Sequence, residues 1–303
     1  MYGLTMRSYK VVVQQFAEAY GIDKSATSEH FVEASRKKLE QLMSRSLGGL
    51  SLCALFIDGT IFKREHLVVA IGLDRLGRKI VLGIRQGATE NATLVGDLLA
   101  DLMGRGVGFS PPRLYVVDGS KPLSSAIRSY AGEAAFLQRC QVLKIRNVVE
   151  YLPEAERHAV KFRMRAADLK DTVADARNAL WKLHDELMEI NPSAAGSLAE
   201  GLEDTLTLLD LQIRQKLRQG LSSTNGIESG FATVERICRQ VKRWQGSDHR
   251  LRWSASALLF AESHWNRIHG YRHLPMLVSA MESAYQLRIQ AAQTKLRRHL
   301  GAA

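Results

Sequence analysis

Two short runs in this chain carry only apolar side chains: Leu52 to Ile57 and Leu114 to Val117, each stopping at an Asp-Gly step, Asp58-Gly59 and Asp118-Gly119. Short apolar runs without polar alternation fit strands buried on both faces, the position strands take in a parallel sheet covered by helices. Around them, His66 to Leu73 and Lys79 to Ile84 read as a hairpin turning at Asp74-Arg75-Leu76-Gly77-Arg78, and Ala134 to Cys140 as a fifth strand. Asn91 to Met103 is helical, and Pro122 opens a helix reaching about Tyr130. The order strand, strand, strand, helix, strand, helix, strand describes a mixed sheet with the two apolar strands at its centre. If those two are parallel neighbours, Asp58 and Asp118 meet at one edge.

The rest of the chain reads as helix. Two helices from Thr5 to about Met43 meet at a turn by Gly21, a hairpin that could also serve as a helix-turn-helix. From Val142 to about Arg218 no strand pattern occurs, while Leu180, Leu183 and Leu187, then Leu202, Leu206, Leu209 and Ile213, recur at helical spacing. Gly220 to Gly226 is expected as a loop. The helix from about Ile227 to Trp244 gathers Ile227, Phe231, Val234, Cys238 and Val241 on one face, which should return to the sheet. Ser254 to Trp265 continues helically, and the last residues, with Arg288, Lys295, Arg297 and Arg298, form a basic helix or a frayed tail.

At roughly 150 residues per domain, 303 residues make about two domains. The expected division is a helical segment 1–48, a first core part 49–141, an all-helical insertion 142–221, a second core part 222–270 and a basic end 271–303. Lys plus Arg (42) exceed Asp plus Glu (31), for a net charge of +11, so an acidic polymer is the first partner to expect. Cys53, Cys140 and Cys238 lie far apart and form no CxxC pair, so neither a disulfide framework nor a cysteine-rich zinc site is indicated. No stretch approaches the roughly 20 apolar residues of a membrane span and no secretory leader is visible. A cytoplasmic, nucleoid-associated protein is expected.

Three carboxylates can converge: Asp58, Asp118 and Glu228, the last opening a helix expected on the same sheet. Such acids suit a hard divalent cation, and a pair of ions can activate an attacking oxygen and stabilise a leaving one. Taken singly, each has a plain structural role open to it, since Asp-Gly is a common turn and Asn225-Gly226-Ile227-Glu228 has capping-box spacing. Two matched Asp-Gly-Thr/Ser steps on the two most buried strands favour a joint site. His269 and His273, four apart, lack a third ligand, Gly104 to Gly108 is a loop with no Lys-Ser/Thr after it, and no Gly-x-Ser-x-Gly elbow occurs. Trp181 could stack on a base if exposed.

Asp58-Gly59-Thr60-Ile61-Phe62-Lys63, Val117-Asp118-Gly119, Gln138-Arg139-Cys140 followed by Lys144-Ile145-Arg146-Asn147, and Thr224 to Val234 stand in this order along the chain. On these motifs rests a resemblance, from about Gly49 to Asn266, to the Mutator-type transposases of prokaryotic insertion sequences. It implies an α/β, ribonuclease H-like mixed five-stranded sheet with flanking helices, interrupted by the all-helical insertion. It also implies a DDE active site in which Asp58, Asp118 and Glu228 are catalytic and hold two Mg²⁺ or Mn²⁺ ions. Lys63, Lys144, Arg146, Arg239, Lys242 and Arg243 are the expected DNA contacts, with element ends and target DNA as partners and a homo-oligomer as the acting species. Two features depart from the family: Leu143 stands where its pattern has His two residues after Cys140-Gln141, and the stretch before Ser51 is shorter than its usual DNA-binding region, as in a truncated gene. The rival readings are an inactive relic that only binds DNA and a ribonuclease H-like nuclease that cuts without joining.

Overall fold

The computed structural model describes residues 28–62, 64–88, 92–239 and 246–300. Strands β1 (Leu52–Phe62), β2 (Glu65–Asp74), β3 (Lys79–Gly87), β4 (Arg113–Val117) and β5 (Ala135–Arg139) form one sheet in the order β3-β2-β1-β4-β5. The β1–β2 and β2–β3 pairs are antiparallel, whereas β1–β4 and β4–β5 are parallel. The two apolar strands are therefore neighbours, with β1 central.

Both faces of the sheet are apolar, and successive side chains divide between two cores. On β4, Leu114 and Val116 enter one core while Tyr115 and Val117 enter the other. The first core is closed by α1 (Ser28–Ser44), α10 (Asn225–Cys238), α11 (Gly246–His264) and α12 (Leu274–Leu300), through residues such as Leu42, Ile227, Leu258 and Leu277. The second is closed by α2 (Ala92–Gly104) and α3 (Lys121–Ala131), through Leu98, Leu102, Leu123 and Ile127. The side chain of Ser120 caps α3, and Pro122 sits in its first turn, where a missing N–H costs nothing.

Between β5 and α10 the described chain is wholly helical: α4 (Gln141–Glu150), α5 (Glu154–Asp168), α6 (Val173–Ile190), α7 (Pro192–Ala199), α8 (Leu202–Asp210) and α9 (Gln215–Leu221). A third core, from Ile145 to Leu209, draws on these helices and no strand. Helix α8 also covers the outer edge of β5: Thr207 Oγ donates to the Leu137 carbonyl, and Gln138 receives the Leu208 N–H at 3.0 Å while giving its own amide to the Thr205 carbonyl at 2.9 Å. An edge strand left bare would invite pairing with another chain, and here a helix occupies it.

Several expectations need correction. β1 does not stop at Asp58-Gly59 but runs on to Phe62, because β2 keeps pairing with it as far as Phe62–Glu65. Gly220 and Gly226 lie in helices, and only residues 222–224 separate α9 from α10. The capping box at Asn225 is not formed, since Thr224 holds the N-cap position and Glu228 bonds its hydroxyl instead of the backbone. Of the two readings of the C-terminal residues, helix or frayed tail, the structure has the helix, α12 continuing as far as Leu300, and Arg288 lies 4.0 Å from the Phe136 ring centroid while donating to the Glu133 and Ala135 carbonyls. The first of the two N-terminal helices, with Gly21, lies outside the described residues. None of the described helices is long and apolar enough to cross a membrane.

Candidate active site

The parallel ladder between β1 and β4 ends on the pair Ile57–Val117. The next residue on each strand is an aspartate, so register alone sets Asp58 beside Asp118. Each is oriented by its own following backbone: Gly59 N–H donates to Asp58 Oδ1 at 2.9 Å and Ser120 N–H to Asp118 Oδ1 at 2.8 Å. The turn after Asp118 requires glycine. Gly119 has φ +100°, and a Cβ there would lie 2.1 Å from Arg139 Nε. The Arg139 guanidinium under this turn donates in turn to the Glu200 carbonyl at 2.7 Å, linking the Asp118 loop to the end of α7.

Glu228 arrives from the first turn of α10, where Thr224 Oγ donates to its Oε1 at 3.2 Å. Thr224 is fully buried, and its N–H points at Cys140 Sγ (3.4 Å), which also receives the Leu143 N–H at 3.5 Å. The thiol at the end of β5 thus ties together the start of α4 and the segment that presents Glu228.

Asp58, Asp118 and Glu228 line one open cleft of about 620 Å³. Leu143, Arg146 and Arg239 line it as well, so the three expected acids, the position that departs from the family and two of the expected DNA contacts meet in one place. Arg146 and Arg239 are exposed, as a phosphate contact requires. Lys63, Lys242 and Arg243 lie outside the described residues. Ile61 and Glu235 also line the cleft and were not anticipated. For Glu235 a signal existed, since Glu228, Glu235 and Arg239 share one helix face at spacings of seven and four.

Lys144 does not fit a DNA contact. It is 2% exposed, and its Nζ donates to the Ser197 and Glu200 carbonyls at the end of α7, where a cation also suits the helix dipole. Burial, helped by neighbouring Arg139 and opposed by Glu200, lowers its pKa to about 7. In the unfolded chain the group binds its proton up to its ordinary range near 10.5, so between pH 7 and that range the unfolded state holds more protons and stability rises with pH. Denaturant titrations at several pH values should show this rise, of about a few kcal/mol at most, in the parent. Lys144→Met should lack it, and identical pH slopes for the two would contradict the assignment.

The donor set around the cleft is all carboxylate oxygen, which suits a hard divalent cation rather than zinc or copper. Among the described residues, however, no three His, Cys, Asp or Glu side chains are gathered closely enough to hold a metal as they stand.

The pattern of the family described as "Transposase, Mutator family" matches residues 1–267. The transposase for insertion sequence element IS6120 of Mycolicibacterium smegmatis is 24% identical over 253 residues, 82% of this chain and 76% of the relative. That for IS905 of Lactococcus lactis subsp. lactis (strain IL1403) is 28% identical over 253 residues, 80% of this chain but only 60% of the relative. That for ISRM5 of Rhizobium meliloti (strain 1021) is 25% identical over 283 residues, 90% of this chain and 68% of the relative. The matched range spans both aspartate strands, the helical stretch and the helix of Glu228, and on that basis the chain belongs to the Mutator family of transposases.

Proposed function

We infer that this protein cuts and joins the DNA of an insertion sequence by metal-dependent phosphoryl transfer. The fold would be a ribonuclease H-like core that the helices between β5 and α10 interrupt as an insertion domain. One observation carries the reading: two aspartates follow the last paired residues of adjacent parallel strands, and a glutamate from a distant helix lines the same cleft.

Asp58, Asp118 and Glu228 are the residues that would hold Mg²⁺ or Mn²⁺, two ions being the expected number. When bound, such ions supply Lewis acidity to the phosphodiester and to the attacking and leaving oxygens. The chain's own part is positional. The backbone N–H groups of Gly59 and Ser120 fix the two aspartates, and Thr224 holds Glu228 from its own helix start. Arg146 and Arg239, exposed on the cleft wall, pair with phosphates and set the strand's register without reading its sequence. No covalent protein intermediate is required, because water and then a freed 3′ hydroxyl can each act as the nucleophile. Acting on two element ends and a target calls for a homo-oligomer.

The test is strand joining. A duplex taken from the DNA flanking the gene, incubated with a supercoiled plasmid and Mn²⁺, is expected to yield joint molecules. Nicks without joints would support the nuclease instead, and binding without either product would support the relic.

A further inference from the structure

β1 outruns its parallel neighbour. Its ladder with β4 ends at Ile57, but its antiparallel ladder with β2 continues to Phe62–Glu65. At about 3.4 Å per residue, the β1–β2 arm stands roughly 15 Å beyond the level at which the two aspartates emerge. The arm is held at two points. Phe62 is buried in the core at 7% exposure, and Glu65 pairs with Arg250 of α11 at 2.7 Å. One residue before Phe62, Ile61, with its backbone in register with His66, turns outward and is 68% exposed.

A single exposed aliphatic side chain on a protein surface is ordinarily unremarked. Ile61 differs in its place: it lines the cleft of Asp58, Asp118 and Glu228, together with exposed Arg146 and Arg239. The floor of that cleft is deep, Asp58 being only 6% exposed. A strand lifted out of its duplex would bring its phosphodiester nearer to an acid at that depth than one held in the stack. Opening unstacks a base step, and proteins offset that cost by inserting an apolar side chain into the gap.

We propose that Ile61 is a wedge, pushed by the anchored β1–β2 arm between base pairs of duplex DNA so that one strand can enter the cleft. The proposal rests on the transposase reading for its substrate, but its first test does not depend on any reaction. A duplex oligonucleotide with 2-aminopurine spaced through one strand is bound in Ca²⁺, and the rise in fluorescence reports unstacking. The parent raises it. Ile61→Ala loses most of the rise while affinity stays within about twofold, since phosphate contacts dominate affinity, and Ile61→Met keeps it. In Mn²⁺, Ile61→Ala nicks fully paired DNA about tenfold more slowly, and a mismatched pair beside the cut restores the rate to within about threefold.

Unchanged fluorescence in Ile61→Ala, or an equal loss of nicking on paired and mismatched DNA, overturns the wedge. Cleavage by the parent without an Ile61-dependent rise overturns the wedge and leaves the transposase reading standing. A rise that depends on Ile61 in a protein that never cuts or joins supports the wedge and removes the chemistry.

Discussion

Asp58→Asn, Asp118→Asn and Glu228→Gln are each expected to remain folded and to lose Mn²⁺-dependent strand cleavage by about 10³-fold or more. The size follows from the several kcal/mol that a cation contributes to a phosphoryl transition state, at about 1.4 kcal/mol per factor of ten. Folding should survive because the amide keeps the shape and its carbonyl keeps the local bond. Asn at position 118 can still accept from the Ser120 N–H, and Gln at position 228 can still accept from Thr224 Oγ. Melting temperatures should stay within about 4 °C of the parent, the shift that roughly 1–2 kcal/mol makes in a chain of this size. Cleavage by Asp118→Asn at the parent rate would remove the assignment of the pair, whereas loss of folding in all three would mean the acids are structural.

Leu143→His is expected to raise strand joining by about 10²-fold, the usual contribution of a positioned acid–base or hydrogen-bonding group. Leu143 sits in the first turn of α4, half-buried, on the wall of the cleft that holds the three carboxylates. Its N–H is already spent on Cys140 Sγ, so the substitution changes only what projects from the backbone. A leucine there can neither move a proton nor hold a phosphate oxygen, while imidazole does both near neutral pH. Joining of a pre-cut end should be compared for parent and variant in Mg²⁺ and in Mn²⁺. A parent that joins rapidly and gains nothing would show that another group, such as exposed Arg146, already does this work.

Much of the sheet was legible because burial on two faces leaves a direct trace. Runs such as Leu52 to Ile57 and Leu114 to Val117 are too short for a core helix and too apolar for a loop, and the turn at Asp74 to Arg78 closes as read, with Gly77 at φ +81°. What escaped was set by partners far along the chain. The Asp58-Gly59 step reads locally as a turn, yet pairing with β2 carries the strand through it. Lys144 looks like any lysine on an amphipathic helix, and only the end of α7, some fifty residues on, buries it: its Ser197 partner is 53 positions away. The role of Thr224 was invisible for the same reason, since its N–H answers to Cys140, 84 positions earlier. In the candidate site, residue types and their strand or helix could be named from sequence. Which of the basic residues share the cleft could not, because that depends on side-chain direction.

The helical excursion leaves the sheet and comes back at the same spot. Gln141, at its start, donates its N–H to the Ser222 carbonyl at its end, at 2.9 Å, and Cys140 receives the N–H of Thr224. Two chain ends already joined in this way make the contour length between them thermodynamically cheap, since each doubling of a closed loop costs only about 0.6 kcal/mol. The excursion is bound to the sheet through its last helices, where Leu208, Leu211, Ile213, Leu217 and Leu221 enter the first core, at the edge of β5, and at the Glu200 carbonyl that Arg139 holds. The helices α5 and α6, whose buried residues enter only the third core, can lengthen, shorten or change their outer faces without moving Glu228 relative to the aspartates. Evolution can therefore vary what this part of the molecule touches while the geometry of the carboxylates stays under the control of the sheet.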